Sequence, residues 1–160
     1  MTKTLYFLRH ATADVIRPNQ LDIDRCLVEK GRLQARRVAA FMQRHNLSVQ
    51  QVLSSPYPRA MQTAAIVCKE AGFTGASEQA WLALDTPTAV ALAELSRQLP
   101  ELAEHILLVG HEPDFSALIS RLLKVDTAIL NVRKASLSCI SLRANCQQAQ
   151  LQWSVPARFM

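Results

Sequence analysis

Apolar residues along the chain fall into short unbroken runs and longer periodic stretches. Leu5-Tyr6-Phe7-Leu8 is apolar throughout and gives way to Arg9 and His10. A run that short, without alternation, predicts a strand buried on both faces. Ile106-Leu107-Leu108-Val109, stopped by Gly110, is a second such run, and Val52-Leu53, ended by Ser54-Ser55-Pro56, is a weaker third. Between them, apolar residues recur at helical spacing over Val28 to His45, with Leu33, Val38, Ala39, Phe41 and Met42 on roughly one face. Further helices are predicted over Pro58 to Ala71, Pro87 to Leu99 and Pro113 to Leu123. Each of the three prolines suits a first helical turn, where a missing N–H costs nothing. Ser136 to Leu142 then alternates as a strand, and Leu151 to Val155 pairs beside it. Strands alternating with helices predict an α/β fold: a three-layer αβα sandwich around a mostly parallel sheet, with antiparallel strands at the C-terminal end. No repeat, low-complexity tract or linker interrupts the pattern, so residues 1–160 are expected to form a single domain.

Composition narrows the class without choosing a function. With 160 residues, 49% hydrophobic and 19% charged, the chain resembles neither a disordered, a coiled-coil nor a collagen-like sequence. At this size a fold buries roughly 70% of its unfolded surface, so no metal or disulfide staple is required. The four cysteines, Cys26, Cys68, Cys139 and Cys146, form no C-x-x-C pair and no zinc-ligand spacing. Reduced thiols, an N-terminal apolar run too short for a signal peptide and the lack of any ~20-residue apolar span predict a cytoplasmic protein without membrane contact. Eighteen Lys and Arg against thirteen Asp and Glu leave a formal charge of +5. Net charge alone fits a nucleic acid, an anionic membrane, an acidic protein or a phosphorylated small molecule equally well. No basic run interleaved with aromatics supports nucleic-acid binding.

The residues just past each apolar run are more telling, because ligands of open α/β sheets bind at the carboxyl ends of the strands. Arg9-His10 stands after the first run, Ser54-Ser55-Pro56-Tyr57-Pro58-Arg59 after the weaker one, and Gly110-His111-Glu112-Pro113 after the other. Two histidines and two arginines are thereby placed on one edge. His45 and His105 lie near element ends away from it. Arg59, in a first helical turn, faces the positive end of the helix dipole, unfavourable by about 0.3–1 kcal/mol unless an anion is present. Alone, Arg59 is a solvated surface residue and Arg9 a partner for some carboxylate. Together with two histidines they describe a clamp for phosphate or carboxylate. A histidine between two guanidinium groups is expected to be neutral near pH 7, and a neutral imidazole is a nucleophile toward phosphorus. Arg9 and Arg59 would balance the charge on the non-bridging oxygens, with His111 adding a hydrogen bond. Two histidines beside two arginines make a poor cation site, so no metal is expected.

The segments Leu8-Arg9-His10-Ala11, Ser54 to Thr63 and Val109 to Pro113 together resemble the histidine phosphatase superfamily, with its phosphoglycerate-mutase-like fold. Asp22-Ile23-Asp24-Arg25-Cys26-Leu27-Val28-Glu29-Lys30-Gly31 is most similar to the SixA-type phosphohistidine phosphatase branch. The resemblance implies that His10 is the nucleophile that becomes phosphohistidine, that Arg9, Arg59 and His111 complete the phosphate pocket, and that no cofactor takes part. It makes Arg25 a basic residue at the pocket mouth and Asp22 the preferred proton-transfer residue, with Asp24 and Asp85 as alternatives. The chain departs from the family at Ala11, where Gly is most familiar, and at Cys26 and Val28, where proline and threonine are common. In Ala83-Leu84-Asp85-Thr86-Pro87 it lacks the Glu that serves mutases and many phosphomonoesterases as general acid. An imidazole leaves phosphorus more readily than an alcohol, so the missing acid favours a phosphohistidine substrate. The implied partner is a phosphorylated protein, for example a phosphotransfer domain, and the alternative is a small phosphorylated metabolite. A non-catalytic phosphate-binding module is a third reading, and it would not need the nucleophile.

Overall fold

The computed structural model describes residues 1–126, 129–143 and 145–160. Six strands form one sheet: β1 (Thr2–Arg9), β2 (Gln51–Ser54), β3 (Ser77–Glu78), β4 (His105–Gly110), β5 (Leu137–Arg143) and β6 (Gln148–Val155), in the order β3-β2-β4-β1-β5-β6. The first four are mutually parallel where they pair, and β5 and β6 run antiparallel at one edge. The helices are α1 (Glu29–Arg44), α2 (Pro58–Ala71), α3 (Thr88–Gln98) and α4 (Asp114–Leu122). None of them is long and apolar enough to cross a membrane.

The unbroken apolar runs are unbroken because both faces of the central strands are covered. Tyr6 and Leu8 of β1, with Leu107 and Val109 of β4, pack under α1 and α2. Leu5, Phe7, Ile106 and Leu108 point the other way, under α3 and α4. That division gives the three layers. Pro58 opens α2 as expected, while Pro87 and Pro113 stand one step before α3 and α4. Leu33 corrects the pattern of α1: it is 54% exposed, and the buried stripe is Gly31, Ala35, Val38, Ala39 and Met42.

Sheet register sets the site. Arg9 lies opposite Gly110, and Ser54 opposite Val109, so His10, His111 and Ser55 leave three neighbouring strands at nearly the same level. The His10 N–H donates to the Gly110 carbonyl at 2.9 Å, and the Ser55 N–H to that of Val109 at 2.9 Å. Ala11 is fully buried and is not among the residues with positive φ, so its methyl is compatible with the turn after β1.

Gly31 lets α1 approach that turn. A Cβ there would lie 2.1 Å from the carbonyl oxygen of Thr12, whose N–H and hydroxyl both donate to Gln34 Oε1 at 2.9 Å. In an ordinary helix Gly→Ala gains about 1 kcal/mol. Here the backbone clash reverses the sign. Gly31→Ala is expected to lose about 1–3 kcal/mol, read as a lower denaturation midpoint at unchanged m-value; an increase in stability would show that α1 does not rest on Thr12.

Candidate active site

Four buried or half-buried side chains converge at this edge. His10 is 5% exposed, Arg59 2% and His111 1%, and the ring centroids of His10 and His111 are 5.2 Å apart. Tyr57 meets His111 edge to face at 5.1 Å, while the Arg59 guanidinium carbon lies 5.1 Å from the Tyr57 ring centroid. Thr63 fixes the arrangement from one turn further along α2: its hydroxyl donates to the Arg59 carbonyl at 2.7 Å and accepts the Ala11 N–H at 3.0 Å.

The His10 tautomer is set by its neighbour. Nδ1 lies 2.8 Å from the Ala11 carbonyl oxygen, which can only accept, so Nδ1 carries the proton and Nε2 keeps its lone pair. Burial, then the positive charges of Arg59, Arg9 and Arg25, bring the pKa down from 6.5 to about 4, against the opposing hydrogen bond to Ala11. The ring is therefore neutral at pH 7, with its unprotonated nitrogen set by geometry. Imidazole 15N shifts are expected to show His10 unprotonated at Nε2 from pH 7 down to about pH 5, and half protonation near 6.5 would contradict this burial. Between about pH 6.5 and pH 4 the unfolded chain binds the proton and the native site does not, so stability falls as pH falls through that window.

His111 is oriented by a serine. Its Nε2 lies 2.7 Å from Ser55 Oγ, which also accepts the Tyr57 N–H at 3.1 Å. With one lone pair taken by the Tyr57 N–H, Ser55 Oγ keeps its proton and a second lone pair for Nε2, so this bond orients the His111 ring in either tautomer. Burial, with the charges of His10 and Arg59, brings its pKa down to about 3, so this ring too is neutral. Ser55→Ala removes the partner that orients this ring. The expected result is about a tenfold lower kcat with little change in KM, equivalent to roughly 1.4 kcal/mol; wild-type kcat would show that the Ser55 contact does not matter to His111.

Arg59 donates from Nη1 to the Asp22 carbonyl and from Nη2 to Asp22 Oδ2, both at 2.9 Å, and the other carboxylate oxygen takes Arg25 Nη1 at 2.9 Å. Asp22 therefore bridges two guanidinium groups. Its pKa lies below the ordinary carboxylate value, chiefly through the hydrogen bond from Arg25 and then that from Arg59, so it is ionised near neutrality. Arg9 donates Nη1 to the Val132 carbonyl at 3.0 Å. Among the described residues, the buried side-chain nitrogens without a partner are Arg9 Nε, Arg59 Nε, His111 Nδ1 and His105 Nδ1. Three of these four belong to the cluster. Unmatched buried polar atoms cost about 1–3 kcal/mol each, and a tetrahedral oxyanion would satisfy the two guanidinium Nε–H groups at once.

The remaining candidates lie apart from these contacts. Asp24 accepts the Leu21 N–H at 3.0 Å in its own turn. Asp85 is exposed and in the left-handed region at φ 67°, with its N–H donating to Asp114 Oδ2 at 2.9 Å. Glu112 turns its carboxylate to the N–H and hydroxyl of Ser116. Val28, at the start of α1, supplies no side-chain cap. Sequence reasoning missed the parts of Ser55, Tyr57 and Thr63. Thr63 carried a signal, standing four residues after Arg59 on the same helical face. No group of three His, Cys, Asp or Glu among the described residues is placed to hold a metal ion.

Residues 5–84 match the model of the histidine phosphatase superfamily (branch 1). An uncharacterized protein of a Picosynechococcus species is 32% identical over 149 residues, covering 91% of this chain and 88% of its own. Among solved structures, the protein histidine phosphatase SixA complexed with tungstate superposes with a TM-score of 0.88 at 20% identity, covering 98% of both chains. A mycobacterial glucosyl-3-phosphoglycerate phosphatase does so with a TM-score of 0.74 at 21% identity, covering 95% of this chain and 98% of that one.

Proposed function

The chain belongs to the histidine phosphatase superfamily, branch 1, a family of phosphatases, and from that premise we propose that it removes phosphate from phosphohistidine on a partner protein through a covalent intermediate on His10. In the first step the Nε2 lone pair of His10 bonds to phosphorus and the bond to the substrate's ring nitrogen breaks. When that ring is protonated on its other nitrogen, it takes the electron pair and leaves as neutral imidazole. In the second step water bonds to phosphorus, the bond to His10 Nε2 breaks, and phosphate departs while a water proton passes to solvent. Arg9 and Arg59 balance the charge of the non-bridging oxygens, and His111, whose Nδ1 is buried and unpartnered, adds a hydrogen bond. The Ala11 carbonyl, holding the Nδ1 proton, first keeps Nε2 basic and then stabilises the positive ring of the phosphorylated histidine.

The observation that carries the phosphohistidine assignment is the state of Asp22. It is the carboxylate in contact with the guanidinium pair, and it is held ionised by Arg25 and Arg59, poorly suited to protonating an alkoxide. We therefore give it the role of tying the loop before α1 to Arg59. A phosphoramidate leaving group needs no such acid. The rival is a phosphomonoesterase acting on a small metabolite, the activity named for the mycobacterial neighbour. A substrate panel separates them: kcat/KM for phosphohistidine is expected to exceed that for sugar phosphates by about 100-fold, the effect of lacking a general acid, and faster turnover of sugar phosphates would overturn the assignment.

A further inference from the structure

Beside Arg9 lies a concavity of about 930 Å³ whose charged lining is entirely basic. Lys30 and Arg37 project into it from α1, Arg133 and Lys134 from the segment before β5, and Arg158 from the C-terminal turn. All five are exposed, and none forms an ion pair among the described residues, although Arg17, Arg25, Arg32, Arg36 and Arg59 are paired with Asp14, Asp22 or Glu29. No Asp or Glu lines the groove. Lys30 and Arg37 stand two helical turns apart on one face, with Leu33 between them, the residue expected in the core and found exposed instead.

We propose that this groove is a docking surface for an acidic segment of the phosphorylated partner protein, seated so that its phosphohistidine reaches His10 past Arg9. The identity of that partner rests on the function proposed above; the preference for acidic polypeptide rests on the groove alone. Three features favour a polypeptide over a small anion. The cations are exposed and spread over three chain segments, whereas the phosphate donors are buried and convergent. Leu33 offers an apolar contact that a free polyanion would leave unused. Val15, Ile16, Leu21 and Ile23, in the loop that carries Asp22, are likewise exposed, at 67%, 58%, 69% and 39%. A surface of cations around isolated apolar residues complements carboxylates around apolar residues, and such complementarity sets specificity and association rate, weakening as salt screens it.

The test uses three short peptides with one central histidine and an identical apolar residue, flanked by Glu, Gln or Lys. Binding of the unphosphorylated peptides is read by fluorescence anisotropy, and turnover after chemical phosphorylation with phosphoramidate. The Glu peptide is expected to bind at least about tenfold more tightly than the Gln peptide at low salt, with the difference fading toward high salt. Lys30→Glu/Arg37→Glu/Lys134→Glu should abolish that preference, Lys30→Gln/Arg37→Gln/Lys134→Gln should reduce it, and both variants should hydrolyse free phosphohistidine within about twofold of wild type. Equal binding of the Glu and Gln peptides, or a preference untouched in both variants, would overturn the proposal. So would inorganic polyphosphate or an oligonucleotide occupying the groove more tightly than the Glu peptide. Hydrolysis of sugar phosphates but not of phosphohistidine would count against the proposed function, while the anisotropy result would still decide the groove.

Discussion

His10→Ala is expected to lower kcat by about 10,000-fold or more while leaving the fold intact. Loss of a nucleophile has that scale, because the remaining groups bind and polarise the substrate but cannot form the intermediate. The His10 backbone bond to Gly110 does not depend on the side chain, and Thr63 continues to hold Ala11. What is lost is the ring between the guanidinium groups and its proton on the Ala11 carbonyl. The unfolding midpoint should therefore stay close to wild type, and phosphate should still bind through Arg9, Arg59 and His111. Residual turnover within tenfold of wild type, in a variant of verified mass, would move the nucleophile elsewhere.

Arg59→Ala should be the next most damaging change, with kcat/KM lower by about 100- to 1,000-fold, the range for removing one transition-state donor. Two consequences combine. The site loses a planar donor with an unmatched Nε, and Asp22 loses one of its two guanidinium partners, freeing the loop before α1. Arg59→Lys restores the charge but not the fork that reaches both the Asp22 carbonyl and its carboxylate, so it should recover less than tenfold of the loss. Recovery to wild-type activity by lysine would show that charge alone matters there.

The central strands were legible because burial on both faces leaves no polar interruption in Leu5 to Leu8 or Ile106 to Val109. Their carboxyl ends gave the placement of Arg9, His10 and His111, and the register of β1 with β4 accounts for it. Arg59 was legible as a cation set against a helix dipole, and its partner proves to be the Asp22 carboxylate. Other features depend on distances that no local pattern carries. Ser55 sits in a recognisable segment, but its action on His111 arises only when β2 and β4 lie side by side. Leu33 has the spacing of a core residue and faces the groove, because the buried stripe of α1 is centred on Gly31 and Ala35, against the turn after β1. The basic groove draws on residues 30–37, 133–134 and 158, so it forms no charge run in the sequence. Positive charge therefore gathers in two places, the Arg9–Arg59 cluster around His10 and an exposed groove beside it.

Passage of phosphate through a covalent bond to His10 Nε2 is the central claim. Brief incubation of the protein with phosphoramidate or phosphohistidine, an alkaline quench and intact-mass measurement tests it directly. The predicted result is one added phosphoryl group, stable in base, lost in acid, mapped to the peptide containing His10 and absent from His10→Ala. A label that persists in His10→Ala, or an active wild-type enzyme that never carries the label in the steady state or in single-turnover quenches, would contradict it.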